Sequence, residues 1–446
     1  MSKHFRPWNI DQTLLLPPSV QDFVSKDHVS RFIVGLARES LDLRAITGSY
    51  VSGLGQPPFD PRMMVALLLH GYASGLYSSR RIARACCERN DFVMIVALDP
   101  PDFRTISDFR KRHLKALGEL FLQVLKLCET AGLVKLGHVA LDGTKIKANA
   151  SKHKAMSYER MKKREAELKA DVACMLAAAE AADAQEDETF GKDKRGDEMP
   201  DWASDKKKRL AKIQEAMAAL EAEAKLAAEE ERRIEAEKEQ QRNAEGRKKP
   251  GKPAAPPSDQ PDPKAQRNFT DPESRIMKSK EGFVQAYNAQ AAVDADAQII
   301  VAHELTQCGS DHGQLVPLVE AIENNLGRKP QQASADSGYC SEPNLEALVA
   351  RGIDGYVAPG RAKHPAAVNG KAGPLTQLMR KKIDDGGFET PYRLRKQVVE
   401  PVFGQIKEAR GFRQFLLRGV EKVRAEWAMI CTTHNLLKLF VLAKAA

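Results

Sequence analysis

The chain has 446 residues, which is too long for one ordinary hydrophobic core and predicts two or three domains. Its 42% hydrophobic and 29% charged residues are typical of a globular protein with a strongly charged portion. The net charge of +9 favours a polyanionic partner, nucleic acid before an acidic membrane surface.

Two classes of protein are excluded by what the sequence lacks. No apolar run approaches the roughly 18 to 20 residues that a membrane span requires, and the N-terminal MSKHFRPWNIDQ has no apolar signal core. The seven cysteines include no C-x-x-C spacing, which argues against a zinc site or a disulfide framework. We therefore expect a cytoplasmic protein that makes no membrane contact.

Residues 1–135 are predicted to form a helical N-terminal domain. Asp60 and Pro61 are a cap and first-turn pair before MMVALLLHGYASGLY, which is apolar on most sides and indicates a buried helix. Ser79 is expected to cap the helix that follows.

Basic residues gather near the end of this domain, in a segment that has the pattern of a helix-turn-helix unit. The second helix of such a unit could lie in a major groove of DNA, with arginines on phosphates and base edges. The candidates for DNA contact are Arg104, Arg110 and Arg112. A plain solvated helix face is the alternative interpretation.

Residues 155–265 differ in composition, being rich in Ala, Glu and Lys, and read as an insertion. Apolar residues at three- and four-residue spacing predict two long helices that pair as a hairpin or coiled coil, joined by a polar loop and followed by a Pro-rich linker. The two stripes are Met161, Leu168, Val172 and Met175, and Leu210, Ile213, Met217, Leu220 and Ala224. Because the insertion interrupts a fold, its two ends must come back together.

The remaining residues, 136–154 and 266–446, alternate between strand and helix patterns. Strands are predicted at 136–142, 283–294, 297–308, 331–336 and 354–360, with helices after the third, fourth and fifth. Without the insertion this order is βββαβαβα, the ribonuclease H order. We therefore predict an α/β fold, a ribonuclease H-like mixed sheet flanked by helices, which ends in a basic amphipathic helical tail.

Three acidic residues fall at positions that this fold would bring together. Asp142 ends the first strand, Asp336 ends the fourth, and Glu400 lies on the helix after the last strand. The fourth strand of such a sheet lies beside the first, so the trio is expected to converge. Two Asp and one Glu make a hard oxygen site for Mg²⁺ or Mn²⁺, and two such ions could clamp a phosphodiester during cleavage.

Other polar residues are given structural roles. Asp294, Asp296 and Asp311 are expected to form turns and cap helices. Asp271 and Arg275 are expected to lie behind the site rather than in it. Packing or capping is the expected role of three residues on the tail, namely Trp427, His434 and Asn435.

Five segments resemble one known family, the DDE transposases of bacterial insertion sequences with an InsH-type N-terminal helical domain. The segments are LDGTKIKANAS at 141–151, DPESRIM at 271–277, YNAQAAVD at 287–294, ADSGYCS at 335–341 and VVEPVFGQIKEARGFRQFLLRG at 398–419. The resemblance implies that Asp142, Asp336 and Glu400 are the catalytic and metal-binding acids.

A Tyr-x2-Arg-x3-Glu-x6-Lys signature surrounds the Glu in related transposases. Aligned on Glu400, the pattern matches Lys407, but Arg393 stands at the Tyr position and Lys396 at the Arg position. Tyr392 lies one residue early. The residues predicted to contact DNA around the acids are Lys145, Lys147, Tyr392, Arg393, Lys396, Lys407, Arg413 and Arg418.

The resemblance implies a DNA transposase that cuts and joins strands at the terminal inverted repeats of its own element. Expected partners are those repeats, target DNA and a second copy of the chain, in the bacterial cytoplasm at the nucleoid. Three alternatives stay open: a structure-selective nuclease, a repressor derived from a silenced transposase, and a coiled-coil scaffold. A missing acid would favour the repressor, and the scaffold leaves the strand-end acids unexplained.

Overall fold

The computed structural model describes residues 19–51, 57–190, 201–244, 256–279, 282–360, 373–386 and 390–445. The predicted polar loop within the insertion covers residues 183–202, of which 191–200 lie outside these residues, and 183–190 and 201–202 are helical rather than loop. The first part of the Pro-rich linker, 246–255, lies wholly outside them. Within them, the protein is a mixed α/β structure in which a mixed sheet is flanked by helices.

The N-terminal part is helical, as predicted. Its helices are α1 (Val29–Glu39), α2 (Arg44–Thr47), α3 (Pro61–Ala73), α4 (Ser79–Glu88), α5 (Asn90–Val96), α6 (Phe103–Arg112) and α7 (Leu114–Thr130). The predicted cap of α3 is confirmed, since the Asp60 side chain accepts a hydrogen bond from Arg62 N and Pro61 is the first helical residue. The predicted cap of α4 is wrong by one residue, because Ser78 precedes the helix and Ser79 begins it.

The insertion follows β1 (His138–Lys147) and is closed at its base by two short strands. It comprises β2 (Ala155–Ser157), α8 (Tyr158–Phe190), α9 (Asp201–Ala244) and β3 (Gln266–Asn268). Because β2 pairs with β3 in antiparallel fashion, the two ends of the insertion do come back together. The two helices pack through a small cluster of their own, which confirms the predicted pairing and includes Met161, Leu168, Ile213, Met217 and Leu220.

The rest of the chain completes the main sheet and its helices. The elements are β4 (Arg275–Ser279), β5 (Gly282–Asp294), β6 (Ile300–Thr306), α10 (Leu315–Leu326), β7 (Gln332–Ala335), α11 (Glu342–Ala350), β8 (Asp354–Val357), α12 (Pro374–Asp385), α13 (Pro391–Gly404) and α14 (Val420–Ala445). A single π-helical turn, Gln405–Ala409, continues α13. The sequence predicted β5 to β8, the helices α10, α11 and α13, and the helical C-terminal segment, but it did not predict β4 or α12.

The sheet has the strand order β4-β5-β1-β7-β8, with β6 also paired to β5. Strand β1 is central, antiparallel to β5 and parallel to β7. The predicted neighbours, the first strand at 136–142 and the fourth at 331–336, therefore do lie side by side.

Helix α14 is a core helix rather than the amphipathic tail that the sequence suggested. Trp427, Ile430, Cys431 and Leu436 are fully buried, because α14 packs between helices α3 and α7 and strand β6. One hydrophobic core therefore joins the N-terminal helices to the sheet. None of the described helices combines the length and the apolarity needed to cross a membrane.

Candidate active site

Asp142 and Asp336 lie side by side just beyond the paired part of two parallel strands. The last paired residues of β1 and β7 are Ala140 and Ser334. Two residues later Asp142 is still within β1, which continues to Lys147, so the prediction that Asp142 ends the first strand is wrong, whereas Asp336 directly follows β7 as predicted. Equivalent register on adjacent parallel strands puts both side chains just beyond the end of β7. Their proximity also has an electrostatic effect, since the carboxylate of Asp336 raises the pKa of Asp142.

The Asp142 carboxylate is paired with an arginine that the sequence analysis overlooked. Arg395 Nη1 donates to Asp142 Oδ2 at 2.8 Å, and only 9% of the Arg395 side chain is exposed. Burial raises the pKa of Asp142, and the positive charge of Arg395 opposes that rise. The Nε atom of Arg395 is buried and has no hydrogen-bond partner among the described residues.

This contact changes how the signature is read. Arg395 is buried against Asp142, whereas Lys396 is exposed, so the basic residue that contacts the acid is Arg395, and the role of Lys396 stays a prediction. Counted from Tyr392, the Tyr-x2-Arg spacing fits Arg395, with four residues instead of three before Glu400. An alignment that keeps the spacing to Glu400 fixed places Lys396, and not Arg395, at the Arg position of the signature.

Glu400 is on α13 but does not join the two aspartates. It follows Arg395 by five residues, which is about 140° around an ideal helix. Val398, Val399 and Val402 occupy the buried face, and Glu400 is exposed. In the part of the chain described, no hydrogen bond or ion pair connects Glu400 to Asp142 or Asp336.

Several of the predicted basic residues lie beside the second half of β1, residues 144–147, and the chain that follows it. Lys407 Nζ donates to the hydroxyl of Thr144 and to Lys145 O. Segment 413–418 runs beside the strand end: Lys147 N donates to Arg413 O at 3.3 Å, and Arg418 Nε donates to Asn149 O at 3.0 Å. The side chains of Lys147, Arg413 and Arg418 are exposed there, as are those of Arg393 and Lys396 on α13, while Tyr392 is half-buried.

The N-terminal candidates divide into two exposed residues and one buried residue. Arg104 and Arg112 are exposed on α6. Arg110 is buried, and it donates to Tyr77 O at 2.9 Å and to the hydroxyls of Tyr72 and Ser79. These contacts hold α3, α4 and α6 together, so Arg110 must be removed from the predicted DNA-binding surface.

Most residues given structural roles have them. Asp294 accepts from the main chain of Lys135, Leu136 and Asp296, as expected of a turn residue. Asn435 bonds to both N and O of Ile300, at 2.9 and 2.8 Å. Other contacts of this kind are Asp271 with the Tyr287 hydroxyl, Trp427 Nε1 with Gln290 O, and His434 Nε2 with Gln298 O.

Asp311 forms the predicted turn, since its O accepts from Gln314 N at 3.0 Å, but the predicted capping role is wrong. The residue before α10 is Gln314, and the Asp311 side chain turns instead toward the sheet. It forms an ion pair with Lys145, with Nζ at 3.3 Å from each carboxylate oxygen. Capping preference suggested a local role, whereas the contact spans 166 residues of sequence.

The donor chemistry of the site suits a divalent cation, although the described residues hold no preformed metal cage. Among them, no group of three or more His, Cys, Asp or Glu side chains is placed to ligate an ion. Asp142 and Asp336 supply adjacent hard oxygens of the kind that Mg²⁺ prefers. Arg395 lies where a cation would neutralise Asp142, so the pair can serve as two ligands once Arg395 moves.

Two family models match the chain. One, described as a transposase DDE domain, matches residues 361–440, and the other, described as a transposase domain (DUF772), matches residues 18–112. No curated protein and no solved structure matches the chain.

Proposed function

Because the chain is a DDE transposase of the insertion-sequence type, we propose that it cuts and joins DNA strands in a metal-dependent reaction at the ends of its own element. The proposal includes a ribonuclease H-like catalytic domain formed by residues 136–154 and 266–446. It also includes a DNA-binding role for the helical residues 1–135, and the insertion at 155–265 forms a third unit.

One observation carries this proposal, the proximity of Asp142 to Asp336 just beyond the end of β7. The two residues are separated by almost half of the chain, yet they occupy equivalent positions on parallel neighbours. A buried carboxylate whose pKa is raised both by burial and by a second acid is typical of a functional site.

Asp142 and Asp336 would hold Mg²⁺ or Mn²⁺, with Glu400 as a third ligand after α13 turns or shifts. The bound ion would supply Lewis-acid stabilisation of charge at the phosphate. Arg395 would leave Asp142 at that stage, and its unpartnered Nε suits it to a phosphate oxygen. Lys407, beside the second half of β1, would neutralise a second phosphate.

The remaining cations would bind DNA away from the reacting phosphate. Lys147, Arg413 and Arg418 are exposed around one strand end, where a backbone could lie across them. On α6, Arg104 and Arg112 are exposed and could contact a second segment of the same end. We propose that two chains pair two ends, since joining requires both ends at one target.

A cleavage and joining assay tests the proposal. Purified protein is incubated with a labelled duplex of its own element end and a target duplex, in Mg²⁺, Mn²⁺ or EDTA. Asp336→Asn is the test variant. Asp296→Asn is the matched control, because Asp296 is an exposed aspartate on the turn between β5 and β6.

Metal-dependent nicks at the element boundary and joined products are expected from the protein and the control, and neither from Asp336→Asn. Cutting of branched DNA without joining would replace the proposal with the nuclease. Specific binding to the end without cutting in either metal would replace it with the repressor.

A further inference from the structure

The carboxylate of Asp311 approaches the candidate site from the side opposite α13. Side chains alternate between the two faces of a strand, and Asp142 and Thr144 meet Arg395 and Lys407 on one face of β1. Gly143 and Lys145 belong to the other face, which Asp311 covers.

Four contacts fix Asp311 on that face. Its Oδ1 accepts from Asn288 Nδ2 at 2.6 Å and from Gln290 Nε2 at 2.8 Å, and Lys145 Nζ lies 3.3 Å from each of its oxygens. In the register of β1 and β5, Lys145 is opposite Asn288 and Gly143 is opposite Gln290. Only 18% of the Lys145 side chain and 17% of the Asp311 side chain are exposed, so the pair is held in place.

Two glycines, Gly143 and Gly338, let Asp311 and Lys145 come close to the turn that follows Asp336. A Cβ at Gly143 would lie 2.9 Å from Asp311 Oδ1. A Cβ at Gly338 would lie 3.0 Å from Asp336 Oδ1 and 3.3 Å from Asp311 Oδ2. The carboxylates of Asp311 and Asp336 therefore face the same small space beside Gly338.

The same network extends to the turn that follows Asp336 and leaves one polar atom unsatisfied. The Tyr339 hydroxyl donates to Gln290 Oε1, which ties the turn to β5. Asn288 is completely buried, and its Oδ1 has no hydrogen-bond partner among the described residues. Buried acceptors are rarely left unpaired, and an amide oxygen needs a donor, so a water or an ammonium would satisfy this atom, whereas a phosphate oxygen would not.

We propose that Asp311 is a positioning residue, which holds the Lys145 ammonium at the space beside Gly338 that Asp336 also faces, toward a phosphate that reacts there. This inference rests on the proposed function. Lysine has a long flexible side chain that a fixed carboxylate can restrain before DNA binds. An ammonium has three donors, so Lys145 can stay on Asp311 and still donate to a phosphate oxygen.

The test compares single-turnover cleavage of the element end by Asp311→Asn, Lys145→Met and the double variant, with Asp296→Asn as control. Affinity for the same end duplex is measured without divalent metal, and the urea unfolding midpoint is measured for each protein. Asp311→Asn is expected to slow cleavage about 10- to 100-fold, the scale of a misplaced catalytic group. Affinity is expected to change little, and the unfolding midpoint is expected to fall modestly, because Lys145 loses its partner in a mostly buried ion pair.

If Asp311 acts through Lys145, the double variant cleaves no more slowly than Lys145→Met alone. If the cleavage rate of the double variant falls by the product of the two single losses, the inference is overturned, and Asp311 has an independent role such as ligating the metal. A joint fall in affinity and unfolding midpoint would overturn it in favour of a role in folding. If wild type cuts and Asp311→Asn cuts equally well, the inference alone fails. If wild type does not cut, the proposed function fails and takes the inference with it.

Discussion

The buried carboxyl group of Glu426 predicts an unusual dependence of stability on pH. Glu426 is 1% exposed in α14, and its carboxylate accepts from the main-chain N atoms of Leu416 and Leu417, each at 3.0 Å from Oε2. Burial raises its pKa from 4.5 to about 7, although the two amides and Arg110 oppose the rise. At neutral pH the folded protein therefore binds this proton more readily than the unfolded chain does.

The sign and size of the effect follow from linkage. A folded-state pKa above the unfolded value contributes stability that is fully present below about pH 4.5 and is lost as pH rises through about 7. The full contribution to the free energy of unfolding is on the order of 3 kcal/mol, because each unit of difference between the two pKa values is worth about 1.4 kcal/mol. Glu426→Gln keeps the shape and an acceptor oxygen but cannot lose a proton.

The measurement is urea unfolding, followed by circular dichroism, between about pH 5 and pH 8. Because other titrating groups act equally in both proteins, the quantity to compare is the difference in unfolding free energy between wild type and Glu426→Gln. As pH rises, wild type should lose stability relative to Glu426→Gln. Glu421→Gln, an exposed position on the same helix, is the control and should track wild type. Parallel curves for wild type and Glu426→Gln would refute the reasoning.

Three further predictions concern packing and pairing. Arg395→Met removes the partner of a mostly buried carboxylate and should lower the free energy of unfolding, measured in urea, by about 1–3 kcal/mol. Lys396→Met, at the exposed neighbour, should leave it unchanged, and equal effects would contradict the assignment of Arg395 as the partner of Asp142. Asn435→Ala strands the main chain of Ile300 and should lower the thermal midpoint, at a cost of about 2–4 kcal/mol. Leu220→Ala should cost about 2 kcal/mol and reduce hydrogen-exchange protection in the insertion helices while leaving the main sheet protected.

Local patterns were enough to predict most of the chain's order of strands and helices, except β4 and α12, and to place Asp142 near Asp336. Apolar runs ending in Asp142 and Asp336 marked two strands, and strand order alone put them side by side. The insertion was also readable, because the three- and four-residue spacing of Met161, Leu168 and Met217 is a property of the helix itself. Its closed ends followed from continuity of the chain.

Tertiary packing decided which face each side chain presents, and there the sequence was a poor guide. Adjacent residues on a helix point about 100° apart, so only the contact of α13 with the sheet separates buried Arg395 from exposed Lys396 and Glu400. The burial of Arg110 arises because α3, α4 and α6 meet around it.

The same cause explains the two largest surprises, Asp311 and α14. A capping preference is a local property, but the side chain of Asp311 instead bonds to Lys145, Asn288 and Gln290 on the sheet. The sequence determined that α14 is helical, since helix formation depends on neighbours a turn away. Whether it lies on the surface or inside depended on α3, α7 and β6, because burial is set by elements that come together only when the chain folds.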